Sequence, residues 1–259
     1  MQSCSKDVII QEVKEVSIMR SVFITGATKG IGYATAKKFL ENGDFVFVNY
    51  CSDDVSAHVV EEEFQERFPN SFLFIKGDVS KESDVVRMSD IVQKKVEHLD
   101  VLVNNAGIAI DTTYEDKTVA NFQKTLNVNL IGPFLVSKYF APLMEVGSII
   151  NVSSTNGINT NYIESLDYDA SKAGLISLTK NLSLQYAPRI RVNAVAPGWV
   201  LTPMNQNLDS EFIEEECKKT SLGRFAEPME IANVIFFLAS SEASFMTGSV
   251  VVVDGGYHG

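Results

Sequence analysis

A chain of 259 residues, 45% hydrophobic and 21% charged, has the composition of a soluble globular protein and is long enough for a large core. A net charge of −11 and an isoelectric point near 4.8 repel phosphate backbones and anionic bilayers, which argues against nucleic-acid or membrane-surface binding. Cys4, Cys51 and Cys217 are too few and too scattered for a disulfide framework or a metal site, so no metal is expected and a reducing, cytoplasmic setting fits.

Residues 1–19 include Lys6, Asp7, Glu12, Lys14 and Glu15, which cannot form the apolar core of a signal peptide. They read as an N-terminal extension of uncertain structure, with Met19 as a second candidate start. Beyond them no linker, repeat or low-complexity segment breaks the chain, and one domain over 20–259 is expected. No apolar run reaches the length of a membrane span.

Strands are predicted at Ser21–Thr25, Phe45–Tyr50, Phe72–Lys76, Asp100–Val103, Ser148–Val152, Ile190–Ala194 and Ser249–Val253. These runs are rich in Val, Ile and Phe and mostly apolar on both faces, as buried parallel strands are. Between them lie amphipathic helices. In one, Val85, Met88, Val92, Val96 and Leu99 form a stripe, with Ser80 as a candidate N-cap. In another, Leu175, Leu178, Leu182 and Tyr186 mark the buried face. Strictly alternating strands and helices predict an α/β, doubly wound Rossmann fold of about seven parallel strands with helices on both faces. Ligands in such sheets bind beyond the carboxyl ends of the strands.

Five motifs fall at those ends, in order. Thr25-Gly26-Ala27-Thr28-Lys29-Gly30-Ile31-Gly32 follows the first strand and opens a helix, where glycines admit a pyrophosphate and the helix N-terminus offers free N–H groups. Asn104-Asn105-Ala106-Gly107 follows the fourth strand, and Asn151-Val152-Ser153-Ser154 ends the fifth. Tyr168-Asp169-Ala170-Ser171-Lys172 opens the helix before the sixth strand, and Pro197-Gly198-Trp199-Val200-Leu201-Thr202 follows that strand. Each alone is ambiguous, since it can also be read as an ordinary turn, strand end or exposed helix face, a reading weakest for the glycine loop. Five such turns, all on the ligand edge, are not expected by accident. A tyrosine and a lysine four apart share one helix face, where an ammonium can lower the phenol's pKa towards neutrality for proton transfer. Tyr33 and Lys37 have the same spacing without a serine-bearing strand end before them, and serve as an internal decoy.

From Arg20 to Gly256 these residues resemble the short-chain dehydrogenase/reductase family, in its single-domain branch, most closely the 3-oxoacyl-(acyl-carrier-protein) reductases and related ketone reductases. The resemblance implies hydride transfer between a nicotinamide cofactor and a ketone or secondary alcohol. It implies Tyr168 as general acid or base, and Lys172 as its helper and ribose contact. Ser154 is the implied substrate-oxygen ligand, with Ser153 as runner-up. Asn129, with Asn127 as the nearby alternative, is implied in a water-linked proton path. The cofactor-binding residues implied are Gly26, Thr28, Lys29, Gly30, Ile31, Gly32, Tyr50, Asp78, Val79, Asn105, Ala106, Gly107, Tyr168, Lys172, Pro197, Gly198, Val200 and Thr202, with Asn104 also lining the cleft. A homotetramer is the assembly the resemblance implies.

No acid ends the second strand, where Tyr50, Cys51 and Ser52 stand, and Lys29 in the glycine loop can meet a 2′-phosphate. The balance favours NADP(H), with NAD(H) the alternative. Asp53 and Asp54 nearby suit helix capping. Specificity is expected from Trp199–Arg224, a partly apolar lid with Met204, Leu208, Phe212 and Ile213, and from Thr155–Asp167, with Tyr162, Ile163 and Leu166. Relatives acting on carrier protein have basic residues before the fifth strand. Here the segment is Ala141-Pro142-Leu143-Met144-Glu145-Val146-Gly147, which leaves sugar, polyol, steroid and small ketone substrates open. From another class, a non-catalytic NADP-binding sensor or scaffold would use the same fold. A hydrolase is excluded by the lack of a Gly-x-Ser-x-Gly elbow.

Overall fold

The computed structural model describes residues 19–159 and 162–259; apart from Met19, the expected N-terminal extension lies outside the described residues. Runs apolar on both faces can be satisfied only between two helical layers; the inner strands are covered in that way, and the two edge strands are partly exposed. The strands are β1 (Ser21–Ile24), β2 (Phe45–Tyr50), β3 (Phe72–Lys76), β4 (Val101–Asn104), β5 (Gly147–Val152), β6 (Ile190–Pro197) and β7 (Val250–Val253). Among the described residues they form one parallel sheet in the order β3-β2-β1-β4-β5-β6-β7. The helices are α1 (Gly30–Glu41), α2 (Asp54–Arg67), α3 (Glu82–Lys95), α4 (Val119–Leu126), α5 (Gly132–Phe140), α6 (Leu166–Tyr186), α7 (Ser210–Lys218) and α8 (Pro228–Ala239). A π-helical turn, Asn127–Ile131, joins α4 to α5.

Alternate strand residues feed two separate cores, as the twofold pleat requires. Val22, Ile24, Val46, Val48, Val101, Val103, Ile150 and Val152 pack with Phe39 and Leu40 of α1, Phe64 of α2 and Ile231 and Ile235 of α8. Phe23, Phe47, Leu102, Ile149 and Val192 pack with Met88 and Val92 of α3 and Val136 and Phe140 of α5. The Phe23 and Phe140 rings are centred 4.3 Å apart. Each fully buried phenylalanine contributes roughly 1.5–3 kcal/mol.

Every predicted strand is present; β2 and β3 have the predicted bounds, and the other five are shifted at one end or both. β6 runs on to Pro197 because β7 pairs beside it from Ala194↔Val250 to Pro197↔Val253. The stripe on α3 holds for Val85, Met88 and Val92, but the helix ends at Lys95, so Val96 is its cap and Leu99 is a buried residue leading into β4. Ser80 does not cap α3. Lys81 stands at the N-cap without a side-chain bond, and the Ser80 hydroxyl donates to Asp78 Oδ1 at 2.7 Å. A charged carboxylate two residues away is a stronger partner than the helix amides, and Glu82 and Asp84 supply the negative charge the first turn favours. Asp53 does cap α2, accepting from Ser56 N–H at 3.0 Å.

The sheet order reverses between β1 and β4, opening a crevice at their carboxyl ends. The remaining motifs meet there.

Candidate active site

The glycine loop leaves β1 and turns straight into α1. Gly26 and Gly30 have φ of +62° and +50°, a left-handed region that other residues rarely adopt. Packing is as restrictive as backbone: a Cβ on Gly32 would stand 2.2 Å from the Gly26 carbonyl oxygen. One on Gly26 would reach Ala106 Cα at 3.0 Å, and one on Gly30 would reach Thr202 at 3.1 Å. The loop is therefore pressed against the ends of β4 and β6. α1 begins with no side-chain cap and no acidic residue in its first turn, so its free N–H groups and positive dipole end are open to an anion. These features fit a pyrophosphate.

Three side chains hold the loop in shape. Thr25 Oγ1 accepts from the N–H groups of Asn105 and Ala106 at 2.9 and 3.0 Å. The Asn105 amide donates to Thr25 and Gly26 carbonyls, each at 3.0 Å. Asn49, buried in β2, accepts from Gly26 N–H at 3.3 Å and donates to Ile75 and Gly77 carbonyls at 3.1 and 3.0 Å. Asn49 was not among the residues expected from sequence, although a lone polar residue in Phe-Val-Phe-Val-Asn-Tyr is a visible signal. Ala27 and Thr28 are buried, and Ile31 packs on the core behind α1.

At the outer end of the crevice the Lys29 ammonium contacts the Asp53 carboxylate. That contact, with the Ser56 bonds, holds the Asp53 pKa down to about 2. Tyr50 ends β2 beside Phe74 and Lys76, and burial and then Asp54 raise its pKa. The Asp78 carboxylate accepts from the Ser80 N–H and hydroxyl and faces Lys81 at 3.4 Å. Val79 is buried against Gly132 of α5. Gly198 N–H donates to the Val253 carbonyl at 3.0 Å, anchoring the turn that carries Val200, which is buried, and Thr202 towards Gly30.

Ser154, Tyr168, Lys172 and Asn129 come together at the centre. Lys172 is buried one turn after Tyr168 on α6, donates to the Val152 carbonyl at 2.9 Å and lies 5.3 Å from the centre of the Tyr168 ring. Burial lowers its pKa to about 8. Burial also pushes Tyr168 up to about 12, against the pull of the Ser154 hydroxyl and with help from Asp169 and Asp111. Spacing led to the expectation of a lowered phenol; with Tyr168 buried, desolvation of the phenolate comes first and raises it. Ser153 donates to the Lys172 carbonyl at 2.9 Å and serves the backbone, whereas the Ser154 hydroxyl is the one beside the phenol. Asn129 is buried in the π turn; its amide donates to the Ile108 carbonyl at 2.9 Å and Ser171 at 3.1 Å and accepts from Ile108 N–H at 2.9 Å. Asn127 is only half-buried. A Cβ on Gly107 would lie 3.5 Å from both Asn129 Oδ1 and Lys172 Nζ, so that glycine faces both. Asn104 turns inward instead, donating to Asn151 at 2.8 Å. The decoy Tyr33 sits elsewhere, donating to Glu63 of α2 at 2.7 Å.

The expected lid region contains α7. Met204 is exposed, and the packing is made by Trp199, Phe212, Tyr162 and Phe225, with Trp199 stacked on Phe225 at 5.4 Å. Glu216, fully buried, accepts from Tyr162 and Trp199 at 2.7 and 2.8 Å and from Lys219 at 2.6 Å. No signal separated it from Glu214 and Glu215 in sequence. The segment Ala141–Gly147 carries an exposed Glu145.

A family model described as Enoyl-(Acyl carrier protein) reductase matches residues 26–258. The 3-oxoacyl-(acyl-carrier-protein) reductase of Thermotoga maritima is 40% identical over 237 residues, 90% of this chain and 95% of that one. That of Aquifex aeolicus is 36% identical with the same coverage. An uncharacterized short-chain type dehydrogenase/reductase of Sinorhizobium fredii is 41% identical over 94% of this chain, which spans 44% of that longer protein. A crystal structure from Brucella melitensis, described as a short-chain dehydrogenase/reductase, glucose/ribitol dehydrogenase, superposes with a TM-score of 0.87 at 32% identity, covering 92% of this chain and 96% of that one.

Proposed function

This chain belongs to the short-chain dehydrogenase/reductase family and is an NAD(P)-dependent oxidoreductase, and on that premise we propose that it is an NADP(H)-preferring reductase of a 3-oxoacyl thioester or a related ketone. The observation that carries this reading is the meeting of Ser154 and Lys172 beside Tyr168, with Lys172 and Asn129 both facing Gly107, at the sheet edge that also holds an uncapped helix N-terminus.

When bound, the nicotinamide cofactor supplies hydride chemistry; the chain's own groups orient the carbonyl and deliver the proton. With its pKa at about 12, Tyr168 holds its proton at neutral pH, the state a donor needs for reduction. Ser154 donates a hydrogen bond to the same carbonyl oxygen, so two donors meet the developing alkoxide. The Lys172 ammonium beside the ring stabilises the phenolate left behind. Asn129 holds the Ile108 backbone and, through water, the return path for the proton to Lys172. Lys29 and the free amides of α1 take the phosphates of the cofactor, Asp78 and Val79 its adenine, and Thr202 its carboxamide.

A second reading, a sugar, polyol or steroid dehydrogenase, is favoured by Ala141–Gly147, which bears Glu145 where carrier-protein enzymes need positive charge. A non-catalytic sensor is disfavoured because all four central side chains are present.

The test is NADPH consumption with acetoacetyl thioester beside a panel of ketones, sugars and steroids, with Tyr168→Phe as the control. The thioester as best substrate, with a Tyr168→Phe variant that binds NADPH and turns over at least about a hundredfold more slowly, supports the proposal. Another ketone as best substrate favours the second reading. Wild-type-like turnover by Tyr168→Phe would falsify the mechanism.

A further inference from the structure

Among the described residues, Lys117 and Asp167 form an ion pair at 2.9 Å with both side chains buried, 4% and 0% exposed. Neither is among the residues assigned above to catalysis or cofactor binding, and Asp167 closes the Thr155–Asp167 segment from which specificity is expected. Replacing buried pairs of this kind by apolar residues of the same volume is often neutral or stabilising, so burial of a pair is weak evidence for a stabilising role. The desolvation that would raise Asp167 is outweighed by Lys117 and Thr125, and its carboxyl sits below the usual range.

The partners of the pair explain more. Asp167 immediately precedes Tyr168 in the first turn of α6. Its other oxygen accepts from the Thr125 hydroxyl at 2.7 Å, and Thr125 lies one helical turn before Asn129. The Lys117 ammonium also donates to the Ile110 carbonyl. Ile110 is two residues beyond Ile108, whose N–H and carbonyl are both held by Asn129. The start of the Tyr168 helix, the Asn129 helix and the Gly107–Ile110 strand exit thus converge on one carboxylate and one ammonium. Apolar packing would let these segments slide and rotate against each other. Directional bonds from a single carboxylate to two elements do not.

We propose that the buried Lys117–Asp167 pair is a positioning device: it sets the Tyr168 phenol in register with Asn129 and the loop after β4. The proposal rests on the reading of Tyr168 as proton donor. A misplacement of about an ångström at the reacting groups lowers a rate by as much as about a hundredfold.

The decisive comparison is Asp167→Asn against the double variant Lys117→Met/Asp167→Leu, followed by Tm, NADPH Kd and the single-turnover rate of NADPH oxidation with the best ketone. Asp167→Asn removes the negative charge and one of the two acceptors, leaving the buried ammonium without a counter-ion, so Tm and rate both fall. In the double variant no charge is stranded and Tm recovers, while the rate stays about tenfold to a hundredfold low and NADPH Kd stays within about threefold of wild type. Should the double variant misfold, Thr125→Val carries the test: Lys117 still pairs the carboxylate, so only a modest fall in Tm is expected beside a severalfold loss of rate. Recovery of rate together with Tm, a wild-type rate in Thr125→Val, or a loss confined to NADPH affinity overturns the proposal. A wild-type protein silent with every ketone is a separate failure, that of the reductase reading itself.

Discussion

Lys172 holds inside the protein a charge that the unfolded chain would hold in water. Its folded pKa is lowered by burial to about 8 from an ordinary 10.5. Between those values the unfolded chain binds more protons than the folded one, so stability rises with pH across the window and this contribution is lost as pH falls through 8. Tyr168 acts higher up and with the opposite sign: raised to about 12 from 10.0, its contribution is intact below pH 10 and lost above it. The Tm of the cofactor-free protein is therefore expected to gain on that of Lys172→Met from pH 8 to 10, measured by thermal denaturation at a series of pH values. Parallel curves would mean that the ammonium is not desolvated. The pair itself was legible in sequence only through its surroundings, because Tyr33 and Lys37 repeat its spacing. What spacing could not convey is burial, which reverses the shift expected for the phenol. Asn49 and Thr25 were legible at most as polar letters beside apolar strands. Glu216 was not legible, because which carboxylate of three turns inward depends on how α7 docks.

Elements were easier to read than caps. Buried strands announce themselves as apolar runs, and all seven strands described, the partly exposed β3 and β7 included, were found that way. The ends of β2 and β3 were read as well; that of β6 was not, since pairing with a neighbour decides where it stops. Ser80 was misassigned because the competing acceptor, Asp78, is as local as the helix it was expected to cap. At the start of α1, the Lys29 ammonium already faces Asp53 across the mouth of the crevice. We expect a 2′-phosphate to draw it away. Lys29→Ala should then weaken NADPH about tenfold and NADH by less than about twofold, by fluorescence titration, as the loss of one charge-assisted bond requires. Equal effects on the two cofactors would mean that Lys29 serves only the pyrophosphate.

As a whole, the molecule leaves large apolar side chains exposed on many elements, among them Val119 of α4, Phe134 of α5, Leu184 of α6 and Val252 of β7. Exposed apolar surface suits burial in a symmetric assembly, and we expect a tetramer. Light scattering after gel filtration is expected to give four times the 28.5 kDa chain mass, and a monomer at micromolar concentration would count against the tetramer. Among the described residues, no helix is long and apolar enough to cross a membrane. One last consequence belongs to the glycine loop. Freezing a residue's backbone costs about 1–2 kcal/mol of conformational entropy, and glycine gives up more than most. Asn49, Asn105 and Thr25 impose that order during folding, through bonds anchored in β2, β3 and β4. A nucleotide then meets a loop already in its bound shape, and its phosphate contacts appear almost undiminished as affinity.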